Sequence, residues 1–190
     1  MNINGKYKIL LGSKSPRRRD LLRQAGFEFD VVSIDVEEDF DEQLNPQQVV
    51  TFLAEKKADG YRELNPGELL ITCDTIVAIE GEILGKPKDS EEALAMLKKL
   101  NNNEHQVLSG VCLKSIDKKV SFHDETKVIF RDLLDKELKY YIESCSPFDK
   151  AGSYGIQEWI GMVGVKYICG SFYNVMGLPI HKLYEQIQIF

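Results

Sequence analysis

The sequence has little of what several functional classes require. Positive charge is in deficit: among the 190 residues, 24 lysines and arginines stand against 30 aspartates and glutamates, for a formal net charge of −6. Coating nucleic acid or docking on an anionic membrane needs a cationic surface that displaces counterions. The longest apolar tract, from Leu69 to Ile79, is interrupted by polar residues and is well short of the ~20 apolar residues of a membrane-spanning helix. We therefore expect neither nucleic acid nor a membrane as a partner.

Cysteine is also sparse. The four cysteines are Cys73, Cys112, Cys145 and Cys169, with no Cys-x-x-Cys pair, and the three histidines are scattered. This spacing predicts free thiols rather than disulfides or a zinc site. The amino terminus has polar residues on both sides of a short apolar run at 9–11, so we expect no signal peptide and a cytoplasmic location.

What remains is the composition of an ordinary globular protein, 43% hydrophobic and 28% charged. Strand patterns alternate with helix patterns, and two long strands form a hairpin, which indicates an α/β fold on a mixed β-sheet flanked by helices. No linker or repeat interrupts the pattern, so we expect a single domain over 1–190. The predicted strands are 8–11, 29–34, 69–79, 82–84, 105–114, 120–130 and 165–169; the predicted helices are 15–25, 45–61, 90–100, 135–144 and 179–187.

The first helix begins with an unusual concentration of cations. Five basic residues and one acid lie between Lys14 and Arg23, although the amino end of a helix already carries partial positive charge. A bound phosphate would offset both charges through free backbone N–H groups and an arginine. Because successive helical residues point ~100° apart, only some of the arginines can face one ligand. Arg17 and Arg18 are the candidates, and a solvated basic face is the alternative.

Asp74 is the second anomaly, because it lies inside an apolar strand pattern. An unpaired buried carboxylate is costly, so Asp74 must meet a cation, a metal or several hydrogen-bond donors, or lie at a strand end in a cleft. Such groups are frequently acids, bases or metal ligands. The alternative is a carboxylate that caps a neighbouring loop.

Further charged residues match the needs of phosphoryl chemistry when taken as a set. Lys57 and Lys86 could bind phosphate, and Glu37 or Glu38 could join Asp74 in holding Mg²⁺ or Mn²⁺ through oxygen ligands. Each of them alone is more typical of a solvated surface charge. The sequence contains no Gly-x-x-x-x-Gly-Lys-Ser/Thr loop, which argues against a P-loop NTPase.

A glycine-containing segment at 146–157 ends in Gln157. An amide offers one acceptor and a donor group, which match the N3–H and a carbonyl of uracil or thymine. The same amide, flipped, matches cytosine, so groups around it must decide its orientation. The alternative is a purely structural loop.

Six segments together resemble, in this order, the motifs of the Maf family of nucleoside triphosphate pyrophosphatases, and they extend over nearly the whole chain. They are SKSPRRR at 13–19, AEKKA at 54–58, CDTIV at 73–77, LGKP at 84–87, DKAGSYGIQ at 149–157 and GSFYNVMGLP at 170–179. The form at 149–157 resembles the branch that cleaves dTTP and UTP. Glu158 departs from the family pattern, since glycine is common after the glutamine.

The resemblance implies a hydrolase that uses Mg²⁺ or Mn²⁺ to cut a nucleoside triphosphate into the monophosphate and pyrophosphate, clearing noncanonical or excess nucleotides. It also implies an inosine triphosphatase-like fold with two lobes around a deep cleft, and a homodimer. Two alternatives stay open: a nucleotide-binding regulator of septum formation and cell division without turnover, and a purine-cleaning enzyme.

The resemblance also assigns roles residue by residue. It makes Asp74 the catalytic proton acceptor and, with Glu38, a metal ligand. The predicted substrate-binding residues are Ser13, Arg17, Arg18, Lys57, Thr75, Lys86 and Gln157, of which Lys57 and Lys86 match phosphate-side positions and Arg17, Thr75 and Gln157 match positions associated with substrate choice.

Overall fold

The computed structural model describes residues 6–190, so the first residues of the amino terminus, from which no signal peptide is expected, lie outside the described residues. The strands are β1 (Lys8–Gly12), β2 (Phe29–Val31), β3 (Glu68–Ile79), β4 (Glu82–Leu84), β5 (Glu104–Lys114), β6 (Lys119–Phe130) and β7 (Val165–Cys169). The helices are α1 (Pro16–Gln24), α2 (Pro46–Asp59), α3 (Ser90–Leu100), α4 (Asp135–Cys145), α5 (Trp159–Gly164), α6 (Phe172–Val175) and α7 (Ile180–Ile189).

The strands form a seven-stranded mixed sheet in the order β2-β1-β3-β5-β6-β7, with β4 paired to β3. Strand β1 is parallel to both β2 and β3, so that Ile9 lies opposite Phe29 on one side and Leu69 on the other. Strands β4 and β7 run antiparallel to β3 and β6. The predicted α/β class with a mixed sheet flanked by helices is therefore confirmed.

The chain divides into two compact units. The first contains the chain up to Asp74 together with Ser109–Asp124 and Gly177–Phe190, and the second contains Thr75–Leu108 and Glu125–Met176. Each unit has its own apolar cluster. The first includes Leu10, Ala54, Ala58, Leu70 and Cys112, and the second includes Leu97, Val128, Phe130, Leu138 and Tyr141.

The residues that cap the amino ends of α2 and α3 can be compared with the sequence patterns at those helix starts. Asn45, where the predicted helix 45–61 begins, is the cap of α2: its side chain accepts from the Gln48 amide at 2.9 Å, and the Gln48 side chain accepts from the Asn45 amide. At the predicted helix 90–100 the sequence favours Ser90 as the cap, because serine is a common capping residue. The cap of α3 is instead Asp89, whose carboxylate accepts from the Glu92 amide at 2.8 Å. A carboxylate is the better acceptor because it also interacts favourably with the helix dipole.

Two short helices, α5 and α6, have no counterpart among the predicted elements. They have six and four residues, too few for a 3.6-residue periodicity to be recognised. The predicted free thiols are confirmed: Cys73 and Cys112 are buried, Cys145 is half-buried and Cys169 is exposed. Within residues 6–190, none of the helices is both long and apolar enough to span a membrane.

Gly110 lets β5 approach the backbone of α2 closely. A Cβ at this position would lie 2.1 Å from the carbonyl oxygen of Val50 and 2.8 Å from the amide nitrogen of Thr51. These are backbone atoms of a helix interior, which cannot move aside as a flexible side chain can. The absence of a side chain at Gly110 therefore sets the spacing between sheet and helix in the first unit.

We expect Gly110→Ala to lower the free energy of unfolding by about 3 kcal/mol, because the added methyl group forces helix and strand apart. Urea unfolding measures this change. Gly85→Ala is the matched control, since a Cβ there meets nothing within 4 Å, and it should change stability by less than about 0.5 kcal/mol. Equal stability of the two variants would show that the close approach is not needed.

Candidate active site

Asp74 meets a cation, as its position in an apolar strand predicted. Its Oδ2 atom lies 2.9 Å from Nζ of Lys57, and the two side chains are only 12% and 13% exposed. The same Nζ lies 2.7 Å from Oε1 of Glu38, whose side chain is 46% exposed. One buried ammonium group thus joins the two carboxylates that the sequence predicted as metal ligands.

The packing of α2 against β3 explains how Lys57 reaches Asp74. Thr72 donates from Oγ1 to the carbonyl oxygen of Ala54 at 2.6 Å, which ties strand to helix. Asp74 lies two residues beyond Thr72, so it is on the same face of the strand, and Lys57 lies three residues beyond Ala54, on the adjacent helical turn. This hydrogen bond is consistent with the register of α2 on β3 that brings the two charged groups together.

The acidic loop before α2 is attached to the same helix by two successive ion pairs. Glu38 pairs with Lys57, and Asp39 pairs with Lys56, which also donates to the Asp39 carbonyl oxygen at 3.2 Å. The Lys56 bond lowers the pKa of the Asp39 carboxyl. Because both pairs connect the loop to the carboxyl-terminal half of α2, Glu38 is positioned beside Asp74 despite lying in an irregular segment.

The donor set suits a hard divalent cation. Carboxylate oxygens are the ligands that Mg²⁺ and Mn²⁺ prefer, and Glu38 with Asp74 supplies two carboxylates against one ammonium charge. In the part of the chain that the structure describes, no group of three or more histidine, cysteine, aspartate or glutamate side chains could enclose a metal. An ion at this pair would complete its shell with water and phosphate oxygens, as Mg²⁺ usually does.

Arg18 connects the loop after β1 to the residue that precedes Asp74. Its Nη1 donates to the carbonyl oxygen of Cys73 at 2.6 Å and to Oγ of Ser13 at 3.3 Å, and its Nε donates to the carbonyl oxygen of Gly177 at 2.8 Å. Ser13 is buried and also accepts from the Ser15 amide at 3.3 Å. The structure therefore places the predicted residues Ser13 and Arg18 next to the backbone that carries Asp74.

The remaining predicted residues are placed as follows. Arg17 is half-buried in the first turn of α1, in the first unit. Thr75 is half-buried and follows Asp74 in β3, whereas Lys86 and Gln157 are exposed in loops of the second unit. Of the predicted site residues, Ser13, Arg18, Glu38 and Lys57 lie at or next to Asp74, and Thr75 follows it in β3. Arg17, Lys86 and Gln157 lie in other segments.

Within the second unit, two distant motifs are joined. The Gly152 amide donates to the carbonyl oxygen of Gly85 at 3.0 Å, so the segment at 149–157 lies beside the loop that carries Lys86. Gly152 has a φ of 65°, and a Cβ there would lie 2.9 Å from the side chain of Val77. Glycine is required at this position for both reasons.

A buried polar network in the same segment was not predicted. The Tyr141 hydroxyl donates to Oε2 of Glu158 and accepts from the Gly155 amide at 3.0 Å. Nζ of Lys150, itself 8% exposed, lies 3.0 Å from Oε1 of Glu158 and 2.7 Å from Oδ1 of Asp149. The only sign of it in the sequence was the departure from the family pattern at Glu158.

Comparison with known proteins supplies the family. The chain is 48% identical to the dTTP/UTP pyrophosphatase of Parabacteroides distasonis over 97% of both chains, and 46% identical to that of Bacteroides thetaiotaomicron over 96% of both. Among solved structures, a HAM1 protein from Coxiella burnetii is similar with a TM-score of 0.49 and 11% identity, covering 97% of this chain and 100% of that one. Residues 8–190 match the family of Maf-like proteins. With nearly its whole length matched, the chain belongs to the Maf family.

Proposed function

We propose that the protein is a nucleoside triphosphate pyrophosphatase that hydrolyses dTTP and UTP, and modified pyrimidine nucleotides, to the monophosphate and pyrophosphate. The observation that carries the proposal is the name dTTP/UTP pyrophosphatase, shared by relatives that are 46–48% identical over nearly the whole chain. The buried carboxylate of Asp74, paired with Lys57 beside Glu38, supports the same reaction, because it offers a proton acceptor among cations.

In the proposed reaction a water attacks the α-phosphorus. A bond forms between the water oxygen and this phosphorus, the anhydride bond to the β-phosphate breaks, and pyrophosphate leaves. Asp74 orients the water and accepts its proton. Lys57 offsets the charge of the two carboxylates, which lowers their repulsion of a polyanionic substrate.

Glu38 and Asp74 are the residues that would hold Mg²⁺ or Mn²⁺. When bound, such an ion polarises phosphate oxygens and increases the acidity of water. The charge that develops on pyrophosphate is stabilised by preorganised cations, an electrostatic contribution. We assign this role to Arg17, Arg18, Lys57 and Lys86, phosphate contact to Ser13, and choice of the base to Arg17, Thr75 and Gln157.

Residues 1–190 are proposed to form one pyrophosphatase domain that acts in the cytoplasm as a homodimer. Its partner is a free nucleotide rather than a nucleic acid or a membrane, in keeping with the net charge of −6. A short, metal-bound triphosphate needs only a local cluster of cations, such as the one at the start of α1.

A substrate panel tests the proposal. With Mg²⁺ or Mn²⁺ present, kcat/KM should be highest for dTTP and UTP among dTTP, UTP, CTP, ITP and 7-methyl-GTP, with monophosphate and pyrophosphate as the products. Hydrolysis in ¹⁸O-enriched water should label the monophosphate, because attack occurs at the α-phosphorus. Nucleotide binding without pyrophosphate release would instead support a regulator, and fastest cleavage of ITP would support a purine-cleaning enzyme.

A further inference from the structure

We propose that Tyr141 is a positioning residue: its hydroxyl group holds both ends of the backbone turn at 155–158, which carries Gln157, and thereby strengthens binding of the nucleotide base. The inference deepens the proposed function and rests on it, because it takes Gln157 as a residue that contacts the base. It gives a role to the buried network of Tyr141, Glu158 and Lys150, which the proposed reaction does not use.

Gln157 lies in a hydrogen-bonded turn. The Glu158 amide donates to the carbonyl oxygen of Gly155 at 3.0 Å, so Gln157 is the third residue of a four-residue turn. Gln157 is exposed, whereas Gly155 at the start of the turn is buried. The backbone of the turn sets the place from which the Gln157 side chain extends. Groups that fix the two ends of the turn therefore also limit where this side chain can reach.

The Tyr141 hydroxyl contacts the first and the last residue of that turn. It accepts from the Gly155 amide at 3.0 Å and donates to Oε2 of Glu158. A hydroxyl group has one proton to donate and lone pairs that accept, so the two bonds use it in both senses. Tyr141 is fully buried on α4, in the apolar cluster of the second unit. The turn is thus attached to a helix whose own position is fixed by packing.

The Glu158 carboxylate is bound on both of its oxygens. Oε2 accepts from Tyr141, and Oε1 lies 3.0 Å from Nζ of Lys150, whose side chain is 8% exposed. Burial, with the Glu158 carboxylate nearby, raises the pKa of Tyr141, so the phenol stays protonated and remains a donor. Hydrogen bonds to a charged group are stronger than those between neutral groups. Glycine, which is common at this position in the resembled motif, has no side chain to make either bond.

A turn held in one conformation lowers the entropy cost of binding. A loop that becomes ordered only when the base arrives loses conformational freedom at that moment, and this loss weakens the affinity. Tyr141, Gly155 and Glu158 belong to the second unit, whereas Asp74 belongs to the first. Loss of the hydroxyl should therefore weaken nucleotide binding and leave the proton acceptor of the proposed reaction unchanged.

Tyr141→Phe tests this, because it removes the hydroxyl and keeps the ring. Calorimetry with Mg²⁺ gives Kd for the α,β-methylene analogue of UTP, which cannot be cleaved at the α-phosphorus, and steady-state kinetics give kcat and KM for UTP. Kd and KM should each rise about tenfold, equivalent to ~1.4 kcal/mol, the scale of one hydrogen bond, while kcat changes by less than about twofold. A merely destabilising change would reduce the fraction of active protein, and hence kcat, without altering the Kd of the folded molecules.

Two controls make the result specific. Tyr140 precedes Tyr141 on α4 and is 52% exposed, and its ring contacts that of Trp159. Tyr140→Phe removes the same hydroxyl, keeps this ring contact and should leave Kd, KM and kcat unchanged. In a Gln157→Ala background, Tyr141→Phe should no longer raise Kd, because a residue that acts through Gln157 then has no base contact left to strengthen.

Each outcome bears on the inference. An unchanged Kd in Tyr141→Phe overturns it, and so does an equal rise in the Gln157→Ala background. If Tyr141→Phe fails to fold, Glu158→Ala decides: it removes the bond at the last residue of the turn, leaves Lys150 paired with Asp149 at 2.7 Å and should raise Kd about threefold. An unchanged Kd in that variant is the contradicting result. Failure of the proposed function is seen separately, in the unchanged protein, which would then release no pyrophosphate from UTP.

Discussion

Replacing Asp74 with asparagine should lower kcat for dTTP by about 10²–10⁴-fold, the usual contribution of a positioned proton acceptor. The amide keeps the shape of the carboxylate but removes its charge and most of its basicity. Lys57 retains Glu38 as an ion-pair partner at 2.7 Å, so we expect the fold to be preserved. Steady-state kinetics with dTTP, together with a thermal unfolding curve, separate the loss of chemistry from a loss of structure.

Asp124 provides a matched control for this variant. It is also a buried aspartate of the first unit: its side chain is 11% exposed, against 12% for Asp74, and it pairs with Lys182 at 2.6 Å. Asp124→Asn should lower stability to a similar extent and leave kcat near that of the unchanged protein. Near-normal turnover by Asp74→Asn, or an equal loss in both variants, would contradict the catalytic role of Asp74.

Removal of the Lys57 charge is expected to have the second large effect, this time on stability. Lys57→Met leaves the buried Asp74 carboxylate without the cation that this ammonium supplies, next to Glu38. Losing one member of a buried ion pair costs ~3 kcal/mol or more, because the other charge stays desolvated. We expect a fall of this size in the free energy of unfolding. Because the two carboxylates then carry more net negative charge, Mn²⁺ should raise the unfolding temperature of the variant more than that of the unchanged protein.

Lys56→Met is the control for the stability measurement. Lys56 precedes Lys57 in α2 and pairs with Asp39, whose side chain is 73% exposed. An exposed pair contributes ~1 kcal/mol at most. Equal destabilisation by the two substitutions would show that burial of the Asp74 pair does not matter, and an identical response to Mn²⁺ would argue against a cation site at Glu38 and Asp74.

The local elements of this fold were largely predictable because their causes are local. The helix start at Asn45 and Pro46 and the apolar run of β3 are set by neighbouring residues, and both appear in the structure where they were expected. The cap of α3 was not predictable because two neighbouring polar residues could each take that position. Helix α5 was not predicted because it is too short to show a helical periodicity.

The sequence indicated which residues of the candidate site are unusual, but not which partners they contact. Asp74 was identifiable because a carboxylate interrupts an apolar strand pattern, and this alone required a cation, a metal or a set of donors nearby. Nothing in the pattern specified that the cation is Lys57. Similarly, a cluster of arginines was visible at the start of α1, but the hydrogen bonds of Arg18 to the carbonyl groups of Cys73 and Gly177 depend on segments 55 and 159 residues away.

By itself, then, the sequence determined the order of strands and helices, the family motifs and the need to compensate one buried carboxylate. These follow from periodicity, capping and the cost of burying charge, which act over a few residues. The tertiary structure alone decided which ammonium compensates Asp74 and which groups bind the Glu158 carboxylate. Such pairings depend on how α2 packs on β3 and how α4 meets the loop at 149–157, because contacts between distant segments are set by packing and not by local pattern.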